Sequence, residues 1–321
     1  MAKVIIGIHG LGNKPSKETL QNWWKESMIE GLTKTNQEFK FPKFELIYWA
    51  DILHEKPLNE KITNINHPLY LKEIYVSGNK SITGMHHPVR KKVLDWFSAA
   101  ADKIFLNDDM TVNYSFISNS IIHNYFKDLE AYYENEKVTQ NGLEYHARDY
   151  IRKRVTETLL KYKKDDIFIV AHSMGTIIAY DILTFILPDF KINTFATIGS
   201  PLGIPFVRSR IALEQKIKLN NTKLKTPPGV HKNWYNFSDL EDDVAINYSL
   251  KNDFDENNAG IRATDFIVNT DYEIDGERNP HKSFGYLRTP EFSSVLRDFI
   301  LQKERGFMQR VRDFFGIQKK S

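Results

Sequence analysis

Fifteen consecutive residues constrain this chain more than any others: Asp166-Ile-Phe-Ile-Val-Ala171-His172-Ser173-Met174-Gly175-Thr176-Ile-Ile-Ala-Tyr180. A short apolar run of strand character enters a small-His-Ser-Met-Gly turn and passes straight into a helical pattern. A turn this tight needs nearly side-chain-free residues two before and two after the serine, and it leaves the Ser173 hydroxyl exposed at a helix N-terminus. Gly175 meets the requirement. Ala171 stands where Gly is commonest, a mild departure because a methyl group is still small. The plainer alternative is that Ser173 only caps the helix. Strand, turn and helix in this order favour a nucleophile instead.

The rest of the chain repeats the alternation of buried strand and amphipathic helix. Strands are predicted at residues 3–8, 44–49, 166–171, 192–198, 232–237 and 264–269. Ser16, Glu18 and the Trp23-Trp24/Met28/Leu32 stripe mark the first helix, and residues 144–162, 176–186 and 291–301 mark three more. This is the pattern of an α/β fold whose mostly parallel sheet carries helices on both faces. One connection is far too long. Residues 50–165 separate the second and third strands, where a crossover needs a dozen or so residues including its helix. Two aromatic-rich helical patterns, 89–106 and 116–134, make the excess read as an inserted helical cap. The expected organisation is one domain over 1–301, with a core of 1–50 and 144–301, a cap over about 51–143, and a C-terminal helix over 302–321. A cap at the C-terminal end of a strand sits over the place where open α/β sheets bind ligands.

A nucleophilic serine needs donors for the oxyanion that forms on acyl transfer. The first strand ends Ile8-His9-Gly10-Leu11-Gly12-Asn13, which fits a donor at the Leu11 N–H paired with the Met174 N–H. A dinucleotide loop is excluded, because Gly7, Gly10 and Gly12 are spaced G-x-x-G-x-G and a pyrophosphate turn needs G-x-G-x-x-G. His9, Gly10 and His172 are the candidate substrate-binding residues, although His9 reads better as a structural group hydrogen-bonded to loop backbone. An acid and a base should follow the serine in chain order. After the fifth strand, Asp239, Glu241, Asp242 and Asp243 supply four acids in five positions. Asp242 is favoured, since Val244 of Asp-x-Val-Ala can plug the core while Asp242 points at the site; Asp239 is the runner-up. Among ten histidines, position selects His281, in the loop entering the last helix, as the base.

His9-Gly10-Leu11-Gly12-Asn13, Ala171-His172-Ser173-Met174-Gly175, the His281 loop with Tyr286-Leu287, and Ile198-Gly199-Ser200-Pro201-Leu202-Gly203 together resemble the α/β-hydrolase superfamily, in its lipase-like serine-esterase branch. The resemblance covers residues 1–50 and 144–301 and leaves out the cap. It implies hydrolysis of a carboxylic ester through an acyl-enzyme, with Ser173 as nucleophile, His281 as base then acid, and Asp242 as the group that orients it. An acyltransferase or thioesterase using the same triad, and a non-catalytic hydrolase-like binding protein, are the alternatives.

Composition bounds the remainder. With no Cys, thiolate chemistry and disulfide scaffolds are excluded, and 44 Lys+Arg against 41 Asp+Glu is too balanced for a nucleic-acid binder. The expected partner is a small-molecule or lipid ester, and no cofactor or metal is expected. Asp253-Phe-Asp255-Glu-Asn257-Asn258 begins like a calcium loop but lacks Gly at the sixth position and a Glu at the twelfth. His86-His87 is an adjacent pair on a loop, which seldom converges on one ion without further ligands, and Asp51 and His54 read equally as substrate contacts or cap anchors. Residues 302–321 carry six Lys/Arg against two Asp/Glu around an apolar face. Such a helix docks on its own domain or makes weak peripheral membrane contact. The absence of a signal-peptide pattern and of any apolar stretch of about 20 residues predicts a cytoplasmic protein, possible membrane contact through the tail aside.

Overall fold

The computed structural model describes residues 1–35, 38–78, 129, 132–135, 137–140, 142–216, 223–245 and 247–302. Six strands form one parallel sheet: β1 (Lys3–Ile8), β2 (Lys43–Ile47), β3 (Asp166–His172), β4 (Ile192–Ile198), β5 (Val230–Asp239) and β6 (Ala263–Val268). Their spatial order is β6-β5-β4-β3-β1-β2.

The central strands are apolar almost without a break because both faces are covered. Side chains alternate between two cores, as the two-residue period of a strand requires. Val4, Ile6, Ile8, Ile167, Ile169 and Ala171 enter one core, while Ile5, Phe168 and Val170 enter the other. The first core is closed by α3 (Ala147–Lys161) and α4 (Met174–Asp181). The second is closed by α1 (Lys17–Thr33) and by α7 (Pro290–Leu301). Between them in the chain lie α2 (Ala50–Leu53), α5 (Pro205–Glu214) and α6 (Ser283–Leu287). The Ser16 hydroxyl caps α1 by accepting from the Thr19 N–H at 3.2 Å, and Leu20, Trp24, Met28 and Leu32 bury the predicted stripe.

Several boundaries differ from the sequence expectation for physical reasons. β2 stops at Ile47, because the Trp49 N–H leaves the sheet to donate to His9 Nε2 at 3.0 Å. The helix expected over 144–162 begins at Ala147, since Leu143–His146 pairs with Lys137–Gln140 as a short antiparallel hairpin. α4 continues into a π-helical turn, Ile182–Ile186. The helical pattern 89–106 lies outside the described residues, as does most of 116–134. Of the latter, Leu129 and Tyr132 are buried in the first core. Residues 303–321, which hold the basic tail, are also outside them. No helix among the described residues is long and apolar enough to cross a membrane.

Register aligns the strand ends. Ile8 pairs with Ala171, His172 with Ile198, Ile198 with Phe237, and Asp239 with Val268. The segments that follow β1, β3, β4, β5 and β6 therefore meet at one edge. The winding reverses between β1 and β3, the point at which open α/β sheets leave a crevice.

Candidate active site

Ser173 sits between β3 and α4 with φ 53° and ψ −128°. That backbone conformation costs a non-glycine residue about 1–3 kcal/mol, and it is retained because both sides of the turn are pinned. The Ser173 N–H donates to Ile198 O at 3.1 Å. At Gly175 a Cβ would lie 2.4 Å from Ile8 O and 2.7 Å from His9 O, so α4 can begin against the end of β1 only without a side chain there. The Ala171 methyl is fully buried in the first core and does not obstruct the turn.

The loop after β1 backs directly on the serine: a Cβ on Gly10 would stand 2.7 Å from the Ser173 Cβ. His9 fixes this loop. Its Nδ1 bonds the Gly10 carbonyl at 2.8 Å, its Nε2 accepts from the Trp49 N–H, and its ring stacks on Trp49 at 4.8 Å. Burial, with Lys14 adding to it, lowers the His9 pKa to about 3, so the ring is neutral and carries its proton on Nδ1. Both ring nitrogens are thus engaged within the protein. Leu11 lies in the turn that follows and lines the cavity, while Met174, as the first residue of α4, presents one of the helix's unpartnered N-terminal donors.

His281 Nε2 lies 3.0 Å from Ser173 Oγ, and its Nδ1 lies 2.9 Å from each oxygen of Asp242. With the Nδ1 proton directed at the carboxylate, Nε2 is left to accept from the serine hydroxyl. Asp242 is buried and well supplied with donors: Val244 N–H at 2.9 Å and Ala245 N–H at 3.3 Å on Oδ1, and the Tyr286 hydroxyl at 2.7 Å on Oδ2. Burial pushes its carboxyl up, but the His281 charge and these hydrogen bonds outweigh burial and hold it below the usual range.

Asp239 does a different job. Its Oδ2 accepts from the Thr270 N–H (2.8 Å), the Thr270 hydroxyl (2.9 Å) and Arg278 (3.0 Å), cross-linking the ends of β5 and β6. Burial is the main cause that raises its carboxyl pKa.

His172 also acts on the loop more than on the cavity. Its Nε2 bonds the His281 carbonyl at 2.7 Å, its ring lies 4.7 Å from the His281 ring, and burial drives its pKa well down, keeping it neutral. Ser173 and His281 open into a cavity of about 340 Å³ whose walls include the apolar Leu11, Leu20, Trp24 and Phe284. That is the size of a small-ligand site.

Other candidates are placed elsewhere. Asp51 pairs with Arg154 of α3, and neither Asp51 nor His54 lines the cavity. In the segment that begins like a calcium loop, Asp253 is paired with Arg208 and with Asn247 Nδ2, and Asn257 holds the Pro227 and Val230 carbonyls. His86 and His87 lie outside the described residues. Three contributors were not assigned roles from sequence. Tyr286 accepts from the Asp239 N–H at 2.9 Å while donating to Asp242. Gly199 has φ 53°, and a Cβ there would lie 2.9 Å from Asp242 Oδ2 and 3.2 Å from His281 Nδ1. Glu73, in the long connection, reaches Lys282 at 2.7 Å and Asn279 at 2.5 Å, on either side of His281. A glycine ending a buried strand was the available signal for Gly199; nothing in the sequence pointed to Glu73.

No protein-family model matches the chain, and no curated protein matches it.

Proposed function

We propose that the protein is a serine hydrolase of the α/β-hydrolase superfamily that cleaves carboxylic esters through an acyl-enzyme. The observation that carries this reading is the continuous relay Asp242–His281–Ser173, at 2.9 and 3.0 Å, opening into a cavity at the C-terminal edge of a parallel sheet. In the proposed reaction Ser173 Oγ attacks the ester carbonyl and His281 Nε2 takes its proton. The buried Asp242 carboxylate holds the imidazole orientation and stabilises the imidazolium that forms. The Leu11 and Met174 N–H groups stabilise the oxyanion. His281 then protonates the departing alkoxide, and in the second half-reaction it activates the water that releases the acid and restores Ser173. The apolar walls favour a lipophilic acyl group. Strain at Ser173 supports the same reading, since such strain recurs where a nucleophile must be held exposed.

An active-site-directed fluorophosphonate tests the proposal. Wild type should be labelled at Ser173 and hydrolyse p-nitrophenyl butyrate, and Ser173→Ala should lose labelling and about 10⁶ in turnover if the three groups act as a unit. A folded wild-type protein that is not labelled would overturn the reading.

A further inference from the structure

The cavity holds more positive than negative charge. Lys14, Lys282 and Glu73 all line it with Ser173 and His281. The Lys282 ammonium is matched by Glu73 at 2.7 Å, and Asn279 holds the other Glu73 oxygen. Lys14 has no carboxylate at ion-pairing distance among the described residues. Its Nζ instead donates to the carbonyls of Leu11 and Gly12, the latter at 3.2 Å. Two of its three protons are so used, and the ammonium is fixed on the same turn that supplies the proposed oxyanion donor. A partly buried cation facing a cavity without a counter-ion is costly unless something anionic joins it.

We propose that Lys14 is the anion-binding subsite of this cavity, so that the preferred ester carries one negative charge, a carboxylate or a phosphodiester, in addition to its scissile carbonyl. The proposal rests on the serine-hydrolase reading above. A single negative charge matches the single unbalanced ammonium. A neutral ester of the same size leaves that ammonium with only the longer-range field of Glu73, already paired with Lys282, in a cavity walled by Leu20, Trp24 and Phe284. Burial and the neighbouring Lys282 work against the Lys14 charge and outweigh the Glu73 carboxylate that supports it, lowering its pKa to about 7, and a bound anion would relieve both effects.

Two matched pairs of substrates test it. On the acyl side, mono-p-nitrophenyl adipate is compared with p-nitrophenyl hexanoate. On the alcohol side, 1-hexanoylglycerol is compared with and without a methyl phosphodiester at its third hydroxyl. The wild-type kcat/KM should favour the anionic member of one pair about tenfold or more, as expected for a hydrogen bond to a charged group. Preference within the first pair assigns the anion to the acyl side as a carboxylate, and preference within the second assigns it to the alcohol side as a phosphodiester. Lys14→Met should abolish the preference and Lys14→Arg should keep most of it. The selectivity ratio is the readout because both members of a pair use the Leu11–Gly12 turn, so damage to that turn cancels. Turnover without preference in either pair, or a preference that survives in Lys14→Met, overturns the subsite alone. Turnover of none of the four esters, together with no fluorophosphonate labelling, overturns the hydrolase reading and the subsite with it.

Discussion

Replacing Asp242 by Asn is the sharpest test of how the proposed base, His281, is held. The change is isosteric, and one amide oxygen can still accept from the Val244 and Ala245 N–H groups at the Oδ1 position. The amide NH₂ then occupies the Oδ2 position, where it meets His281 Nδ1 at 2.9 Å and the Tyr286 hydroxyl at 2.7 Å. Nδ1 lies 2.9 Å from both positions, so its proton now meets an NH₂ as well as the remaining oxygen; the tautomer with its proton on Nε2, which accepts from the NH₂ but cannot accept from Ser173, competes with the active one. The expected loss in kcat/KM is about 10⁴, equivalent to about 5.4 kcal/mol of transition-state stabilisation. Stability should fall by only about 1.5–3 kcal/mol, the value of a hydrogen bond to a charged group. Asp239→Asn is the matched control, because its carboxylate meets Thr270 and Arg278 and not His281. It should lose comparable stability but keep kcat/KM within about tenfold. The assay is p-nitrophenyl butyrate hydrolysis with fluorophosphonate labelling rates and thermal melts on the same preparations. Asp242→Asn activity within tenfold of wild type, or equal kcat/KM losses in the two variants, would refute the reasoning.

Tyr286→Phe removes a donor from Asp242 and leaves the buried Asp239 N–H without its acceptor, at a cost of about 1.5–3 kcal/mol in a melt and about tenfold in kcat. The folded-state pKa of Asp242 is depressed, so its stabilisation is complete above the unfolded value near 4 and is lost as pH falls through the lower folded value. Tyr286→Phe should narrow that window, visible as acid unfolding that starts at higher pH. The kcat/KM ratio for an anionic over a matched neutral ester should fall as pH rises through about 7, where Lys14 loses its charge. Lys282, Glu73, His9 and His172 are the ionisable groups that act on Lys14, and any titration of the triad affects both esters and cancels in the ratio. A flat ratio between pH 6 and 9 would remove Lys14 as the cation responsible.

How much was legible depended on how local the cause was. Continuous β-branched and aromatic runs marked the sheet strands because both faces are buried, and Ser16 marked the start of α1 through its own hydroxyl. Trp49 read as strand because its propensity is that of a strand, yet the hydrogen bond it donates to a residue forty positions away takes it out of the sheet. Glu144–His146, part of the strand Leu143–His146, read as helix because its partner strand was indistinct. His9 carries the same letters in a catalytic and a structural reading; only its two backbone partners distinguish them. Glu73 had no signal at all, since its role lies in contacts with Asn279 and Lys282, more than 200 positions away.

By itself, the sequence determined the α/β layering and the strand–turn–helix around Ser173, because both follow from steric and hydrophobic demands within a dozen neighbouring residues. Which of two acids three positions apart meets His281 was decided by tertiary structure alone. Asp239 is drawn to the end of β6 by Thr270 and Arg278, and the next turn delivers Asp242 to the imidazole beside Gly199, where no side chain stands in the way.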